Sequence, residues 1–305
     1  MEKKGKIFMK VLSLFDGISC GRLALERAGI PVERYVAYEI DENAIKISKA
    51  NWNDIEYMGD VMFANFAQYK GFDAVIGGSP CTWWSIARSS TAKHKRETIC
   101  EGLGWTLFMK FVEAVKATGC KYFLYENNFS ISKEIKAEIT KQLGVNCVMI
   151  NSNLVSAQNR KRCYWTNIPF NLPEDKGIDL QNILETEYNK IAPFKVKQTP
   201  SRIRMWNEGK GRVNGAICCD NITNKHKSGT VTSKQDRNYN AGLIQFDDFC
   251  RFLTYTEQER LQTLPDGYTE VKGVTGAQRS LAIGNGWTVD VIAHILRSIP
   301  EKDKN

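Results

Sequence analysis

Cys81 closes the segment Gly77-Gly-Ser-Pro-Cys81, directly after the apolar run Phe72-Asp-Ala-Val-Ile76. A thiol just past a buried strand lies in the crevice at the strand's carboxyl end, and Pro80 stiffens its presentation. Cys is the strongest side-chain nucleophile once partly ionised, although most cysteines merely pack. Glu126 holds the same place on a later run, in Tyr125-Glu-Asn-Asn128. If the two runs are neighbouring strands, a thiol and a carboxyl 45 residues apart share one site. Burial raises a carboxyl's pKa, so a Glu so placed can donate a proton at neutral pH; the plainer role is a strand-end cap. In Gln158-Asn-Arg160-Lys-Arg162 two arginines stand two residues apart, which on an extended segment sends both to one face. Their forked donors suit a carbonyl oxygen, a carboxylate or a phosphate.

A second group of residues suggests a ligand. Phe15-Asp-Gly-Ile-Ser-Cys-Gly21 puts glycines at a strand-to-helix turn. The spacing is not G-x-G-x-x-G, which argues against a nicotinamide enzyme. Glu39 ends the next strand, 22 residues beyond Gly17, where a carboxylate can accept from ribose hydroxyls. Asp60 follows a third β-like piece, Glu56 to Gly59, and could meet an adenine amino group. Each alone reads equally well as a cap or turn residue. Three together at the ends of successive strands favour a nucleoside-containing cofactor.

The elements that must position these residues alternate. Val11–Phe15, Tyr35–Tyr38, Phe72–Ile76 and Tyr122–Tyr125 read as strands. Arg22–Ala28, Asn43–Trp52 with Asp41 as N-cap, Trp105–Ala117 and Ser132–Leu143 read as helices. This alternation predicts an α/β fold with a doubly wound, mostly parallel sheet. After Pro169 the chain becomes rich in Asn, Lys, Gly and Thr, with short β-like pieces such as Gly229-Thr-Val-Thr232. Thr288–Ser298 reads as a closing amphipathic helix.

Of 305 residues, 42% are apolar, 25% charged and 10% aromatic, a globular composition that excludes a disordered chain. The net charge of +8 is compatible with a polyanionic partner but decides nothing alone. Lys195 to Arg237 carries ten basic residues against Glu208, Asp220 and Asp236, a net of +7, so most of the surplus sits there. From composition alone a solvated, loop-rich insertion explains that stretch as well. The nine cysteines include no C-x-x-C pair and only three histidines accompany them, so no zinc site or other metal is expected. No apolar run approaches the ~18 residues of a membrane span, and Met1-Glu-Lys-Lys-Gly-Lys leads straight into a short strand. A reduced cytoplasmic or nucleoid-associated protein with free thiols is expected.

The ordered set of motifs resembles the DNA (cytosine-5) methyltransferases. Phe15-Asp-Gly, Pro80-Cys81, Glu126-Asn127, Gln158-x-Arg160-x-Arg162, Arg251-x-Leu-Thr-x-x-Glu257-x-x-Arg260-Leu-Gln262 and Gly284-Asn285 follow that family's order across nearly the whole chain. Val155-Ser-Ala157, Tyr164-Trp165 and Gly286-Trp-Thr-Val289 look closest to the animal de novo branch.

The resemblance implies a methyltransferase fold, with a catalytic domain over 1–170 plus 281–305 and a small, loop- and strand-rich target-recognition domain over 171–280. It implies that Cys81 adds to C6 of cytosine while Glu126 contacts N3, Arg162 binds O2 and Arg160 orders Glu126. S-adenosylmethionine would be held by Phe15, Asp16, Gly17, Glu39, Ile40, Asp60, Val61, Pro80, Leu103 and Asn285. Double-stranded DNA, with the target base flipped out, would be met by Ser85, Arg88, Lys93, Gln158, Thr232, Lys234 and Arg237. Thr230-Val-Thr232 resembles the recognition region's core strand, and the basic stretch would contact phosphates. A monomer is expected. The sequence departs from the family at Thr82-Trp83-Trp84, where a polar residue commonly follows the Cys, and at Asn128, where Val is usual. The two tryptophans, if exposed, could stack on bases; packing is expected for one. A transfer-RNA substrate and an inactive DNA-binding homologue are the alternatives, and the intact Cys81, Glu126, Arg160 and Arg162 speak against the second.

Overall fold

Short apolar runs joined by helical crossovers fold here into one seven-stranded sheet. The computed structural model describes residues 8–85, 96–196, 199, 200, 203, 210–213, 216–235, 240–246 and 249–300. Strands β1 (Met9–Leu14), β2 (Val32–Tyr38), β3 (Ile55–Tyr57), β4 (Ala74–Gly77), β5 (Tyr122–Asn128), β6 (Val148–Asn151) and β7 (Lys161–Thr166) lie in the order β3-β2-β1-β4-β5-β7-β6. The pairings β1–β2, β1–β4, β2–β3 and β4–β5 are parallel, and β5–β7 is antiparallel. The chain reverses between β1–β2–β3 and β4–β5, and ligands bind at such switch points beyond the carboxyl ends of the strands.

Helices α1 (Cys20–Arg27), α2 (Glu42–Asn51), α3 (Gly102–Thr118) and α4 (Lys133–Leu143) fall close to the predicted spans. The Asp41 carboxylate caps α2 through the Asn43 and Ala44 N–H groups, as expected. The core of this part joins Leu12, Leu14, Val75, Phe108, Phe111, Tyr125 and Trp165. Strand β4 reads as a continuous apolar run because all four of its residues are buried.

Chain contacts divide the protein into two units, Met1–Ile150 with Lys161–Leu172 and Val291–Asn305, and Asn151–Arg160 with Pro173–Asp290. Relative to the expected boundaries, 151–160 and 281–290 group with the second unit. In the first unit the Arg297 guanidinium donates to Arg27 O at 3.0 Å, tying the C-terminal segment to α1.

In the second unit, buried polar groups pair with one another. Arg251 and Glu257 are both fully buried and joined by two bonds of 2.8 Å. Glu257 also closes a capping box with Thr254 at the start of the helix Tyr255–Leu261. Gly229–Thr232, predicted as a strand, is not one. Gly229 N–H donates to Ala241 O, Val231 N–H to the Gln158 side chain, and Val231 O accepts from Arg160. Side chains thus satisfy much of the backbone that a ladder would have paired; a single bridge, Gln158 to Ser228, remains.

Candidate active site

Strand β4 ends at Gly77, and a short 3₁₀ turn, Cys81–Trp83, starts the next segment. Cys81 O accepts the N–H groups of Trp84 and Ser85, and the Cys81 side chain is part-exposed. The approach to this turn is fixed from β5. The Tyr125 hydroxyl and Ser79 Oγ lie 2.6 Å apart, and Asn127 Nδ2 reaches both Ser79 O and the Tyr125 hydroxyl, at 3.2 and 3.1 Å. Neither Ser79 nor Tyr125 stood out in the sequence; a Ser directly before Pro-Cys was the available signal.

Residues 125 and 127 share one face of β5, and 126 and 128 the other. Glu126 is opposite Tyr164 and Asn128 opposite Arg162 in the β5–β7 register. Glu126 and Arg162 are therefore diagonal neighbours on one face, with Arg162 Nε 3.0 Å from Glu126 Oε1. Arg162 Nη1 donates to Lys161 O. Arg160, expected beside Arg162, has other partners. It falls in the second unit, where Nη1 donates to Val231 O and Nη2 to Gly284 O and Gly286 O, at 2.8–3.1 Å.

At the end of β1, Phe15, Gly17 and Ser19 all have φ near +59°. Gly17 alone adopts that conformation without steric cost, and a Cβ built on it would meet no atom within 4 Å, so the space before the turn is open. Gly17 N–H donates to Glu39 Oε2 at 2.7 Å, while Glu39 Oε1 accepts from Ile40 and Asp41 N–H. Burial pushes the Glu39 carboxyl above its usual range despite these bonds. Asp16, expected at the cofactor, instead commits its buried carboxylate to the turn, accepting from Ser13, Tyr35 and Ser19 hydroxyls. Its pKa is raised by burial, against those hydrogen bonds. Asp60 caps the turn Val61–Phe63 through Met62 N–H, with Val61 buried. Ile40 and Leu103 are exposed apolar residues, and Pro80 is exposed.

Several residues expected at DNA are otherwise engaged. Gln158 is fully buried and gives Nε2 to Leu261 O and Gln262 Oε1 while its Oε1 accepts from Val231 N–H. Both ends of the amide are satisfied inside the second unit, which makes Gln158 a structural residue here. Lys227, counted in the basic stretch, donates to Asn153, Ser156 and Ile178 carbonyls. Lys234 is exposed, and Thr232 Oγ1 accepts from Asn240 Nδ2 at 2.9 Å. Ser85 Oγ lies 3.4 Å from Asn128 Nδ2. Arg88, Lys93 and Arg237 lie outside the described residues. Of the two tryptophans, Trp84 packs, as expected for one of them. It is fully buried, with Nε1 on Glu97 at 3.1 Å, and Trp83 packs part-buried against the core. Asn285 is exposed at the end of the helix Gly276–Asn285. Its neighbour Gly284 is required, since a Cβ there would come within 2.2 Å of Ser233 N. Gln262, missed in sequence as a hub, donates to Ile283 O and Gly286 O. Among the described residues no cluster of three metal-ligating side chains occurs, and no helix is long and apolar enough to cross a membrane.

The sheet is mostly parallel, with an antiparallel β7 beside β5. The chain belongs to the C-5 cytosine-specific DNA methylase family, whose model matches residues 9–301. It is 29% identical over 205 residues to the orphan methyltransferase M.SPRI of Bacillus phage SPR, covering 62% of this chain and 45% of that protein. It is also 34% identical over 125 residues to the rice DNA (cytosine-5)-methyltransferase DRM2, covering 36% of this chain and 20% of the relative. The matched chain thus spans less than half the length of these curated relatives. Among solved structures, Entamoeba histolytica methyltransferase EhMeth superposes with a TM-score of 0.75 at 16% identity, covering 96% of this chain and 98% of the other. S. pombe Dnmt2 methyltransferase gives 0.67 at 17% identity, covering 94% and 96%.

Proposed function

We propose that this protein transfers a methyl group from S-adenosylmethionine to C5 of cytosine in duplex DNA. The observation that carries the reading is the Glu126–Arg162 pair at 3.0 Å, on the strand neighbouring the one that leads to Cys81. A thiol, a carboxyl and a guanidinium are the groups needed to activate a pyrimidine carbon. C5 of cytosine is a poor nucleophile until C6 carries an electron-donating adduct. Cys81 Sγ as thiolate adds to C6 as Glu126 supplies or shares a proton at N3, and Arg162 Nη2 donates to O2. The carbon–sulfur bond turns C5 into an enamine-like nucleophile. Once C5 has taken the methyl group, its proton passes to solvent, the Cys81 thiolate is expelled and the N3 proton returns to Glu126, which restores the neutral aromatic ring.

S-adenosylmethionine supplies the electrophilic methyl group. The residues at the ends of β1–β3 fit such a nucleoside: open space at Gly17, a carboxylate acceptor at Glu39 for ribose hydroxyls, Asp60 for the adenine amino group, and apolar Ile40, Val61 and Leu103 to flank the base. Phe15 and Pro80 complete the proposed set in the first unit, while Asp16 acts by holding the turn.

DNA is favoured as substrate by the name of the rice relative and by the basic stretch Lys195–Arg237. We assign target recognition to the second unit, with Lys234 on phosphate and Thr232 near the bases. Tritiated methyl transfer from S-adenosylmethionine to duplex DNA and, separately, to transfer RNA tests the reading, with Cys81→Ser as control. Label recovered as 5-methylcytosine from DNA, absent with the variant, is the expected result. Label in RNA alone overturns the substrate, and equal labelling by both proteins overturns the nucleophile.

A further inference from the structure

Tyr125 is a buried phenol with a hydroxyl to satisfy. Its ring is wedged among Phe108, Phe111 and Trp165, with centroids 5.1, 4.9 and 5.9 Å away. Packing on those sides leaves the ring little freedom, so its hydroxyl is a fixed point at the sheet's end. That oxygen faces Ser79 Oγ at 2.6 Å and accepts from Asn127 Nδ2 at 3.1 Å. Asn127 in turn holds Ser79 O. Ser79 is itself buried and stands two residues before Cys81, across Pro80 with its φ of −51°. The position of the Cys81 turn is therefore set from β5 by two side chains, the Tyr125 hydroxyl on Ser79 Oγ and Asn127 Nδ2 on Ser79 O.

We propose that Tyr125 is a positioning residue for Cys81: its hydroxyl, through Ser79, holds the Ser79-Pro80-Cys81 turn in the register from which the thiol attacks. The proposal rests on the reading of Cys81 as the nucleophile. It requires no contact between Tyr125 and substrate. Tyr125→Phe keeps the ring and its packing but removes the shortest of these bonds at a buried site, leaving Ser79 Oγ with only the 3.4 Å contact to Asn127 Nδ2.

Two measurements on the full chain test it. The first is the rate of covalent adduct formation with duplex DNA whose cytosines are replaced by 5-azacytosine, read as a denaturation-resistant complex beside the binding affinity for the same DNA. Tyr125→Phe is expected to slow the adduct at least about tenfold, the size of one lost buried hydrogen bond, with binding changed less than about threefold. The second is alkylation of Cys81 by iodoacetamide in the free protein, followed by peptide mass spectrometry. A loosened turn exposes the thiol, so alkylation rises about two- to fivefold while adduct formation falls. Ser79→Ala, a smaller change that keeps the fold if Tyr125→Phe does not, is expected to give the same pair of shifts. Their double variant then adds little, because both remove one contact. Unchanged alkylation and unchanged adduct rates in the variants overturn the positioning role. If the wild-type protein forms no adduct, the reading of Cys81 on DNA fails, and the alkylation ratio still decides whether Tyr125 holds the turn.

Discussion

Glu126 and Arg162 meet at 3.0 Å because β5 and β7 run antiparallel in a register that sets Arg162 opposite Asn128, two residues along from Glu126. The pair is mostly shielded, with side-chain exposures of 12% each. A one-residue slip of β7 would send Arg162 to the other face.

Replacing Arg162 by Ala is expected to lower methyl transfer about 100-fold, since it removes both the donor proposed for the base and the charged partner of Glu126. Arg162→Lys retains the charge but not the fork, and should recover only part of the loss. The melting temperature should move by only a few degrees, about the effect of 1 kcal/mol in a domain this large. Wild-type turnover by the Ala variant would remove Arg162 from the proposed chemistry.

Glu257 presents the opposite balance, with stability at stake rather than chemistry. Its carboxylate makes two bonds to the buried Arg251 guanidinium and accepts from the Glu185 and Thr254 N–H groups. Glu257→Gln leaves the Arg251 charge buried without its counter-charge, at a cost of about 3–5 kcal/mol. Urea denaturation should show the midpoint falling with little change in slope. A midpoint within error of wild type would mean that Arg251 is solvated in the folded protein.

The sheet was legible in the sequence because β-periodic and helical runs alternate, and Cys81 could be placed beyond a strand by its position after such a run; Glu126, read as following its strand, lies within β5, which continues to Asn128. The Asp41 cap was legible for the same local reason. What misled was long-range. The Thr- and Val-rich segment 229–232 has strand composition, yet its backbone partners include Gln158 and Arg160, about 70 residues earlier in the chain. Lys227 looks like a phosphate ligand until its ammonium is found on three carbonyls. Arg160 and Arg162 are two apart in sequence, yet Arg160 donates to the Val231, Gly284 and Gly286 carbonyls while Arg162 meets Glu126.

The thiols should separate by pH. The Cys147 thiol is pulled below the usual cysteine range, chiefly by its hydrogen bond with Cys163 and further by Lys136, whereas burial pushes Cys120 up. The thiolate is the reacting form, so Cys147 is expected to label with iodoacetamide at a lower pH than Cys120. Peptide-resolved labelling between about pH 6 and 9, spanning the ordinary thiol range, reads the order directly. Cys120 labelling first would contradict the hydrogen-bonded arrangement around Cys147.

Cofactor binding should carry its own acid limb, independent of turnover. Glu39 holds the Gly17 turn with one oxygen and would accept ribose hydroxyls as a carboxylate. Its pKa is raised by burial, so protonation occurs above the usual Glu range. The favourable charged form is present above that folded-state pKa and is lost as pH falls through it. S-adenosylmethionine affinity, measured by calorimetry on the protein without DNA, should therefore weaken on acidification before ordinary surface carboxylates titrate. Glu39→Gln keeps one amide acceptor and adds donors where hydroxyl donors are to bind. It should weaken the cofactor about tenfold at neutral pH, the worth of one charge-assisted hydrogen bond, and flatten the acid limb. An acid limb that persists unchanged in Glu39→Gln would assign the titration to another group and detach Glu39 from the ribose.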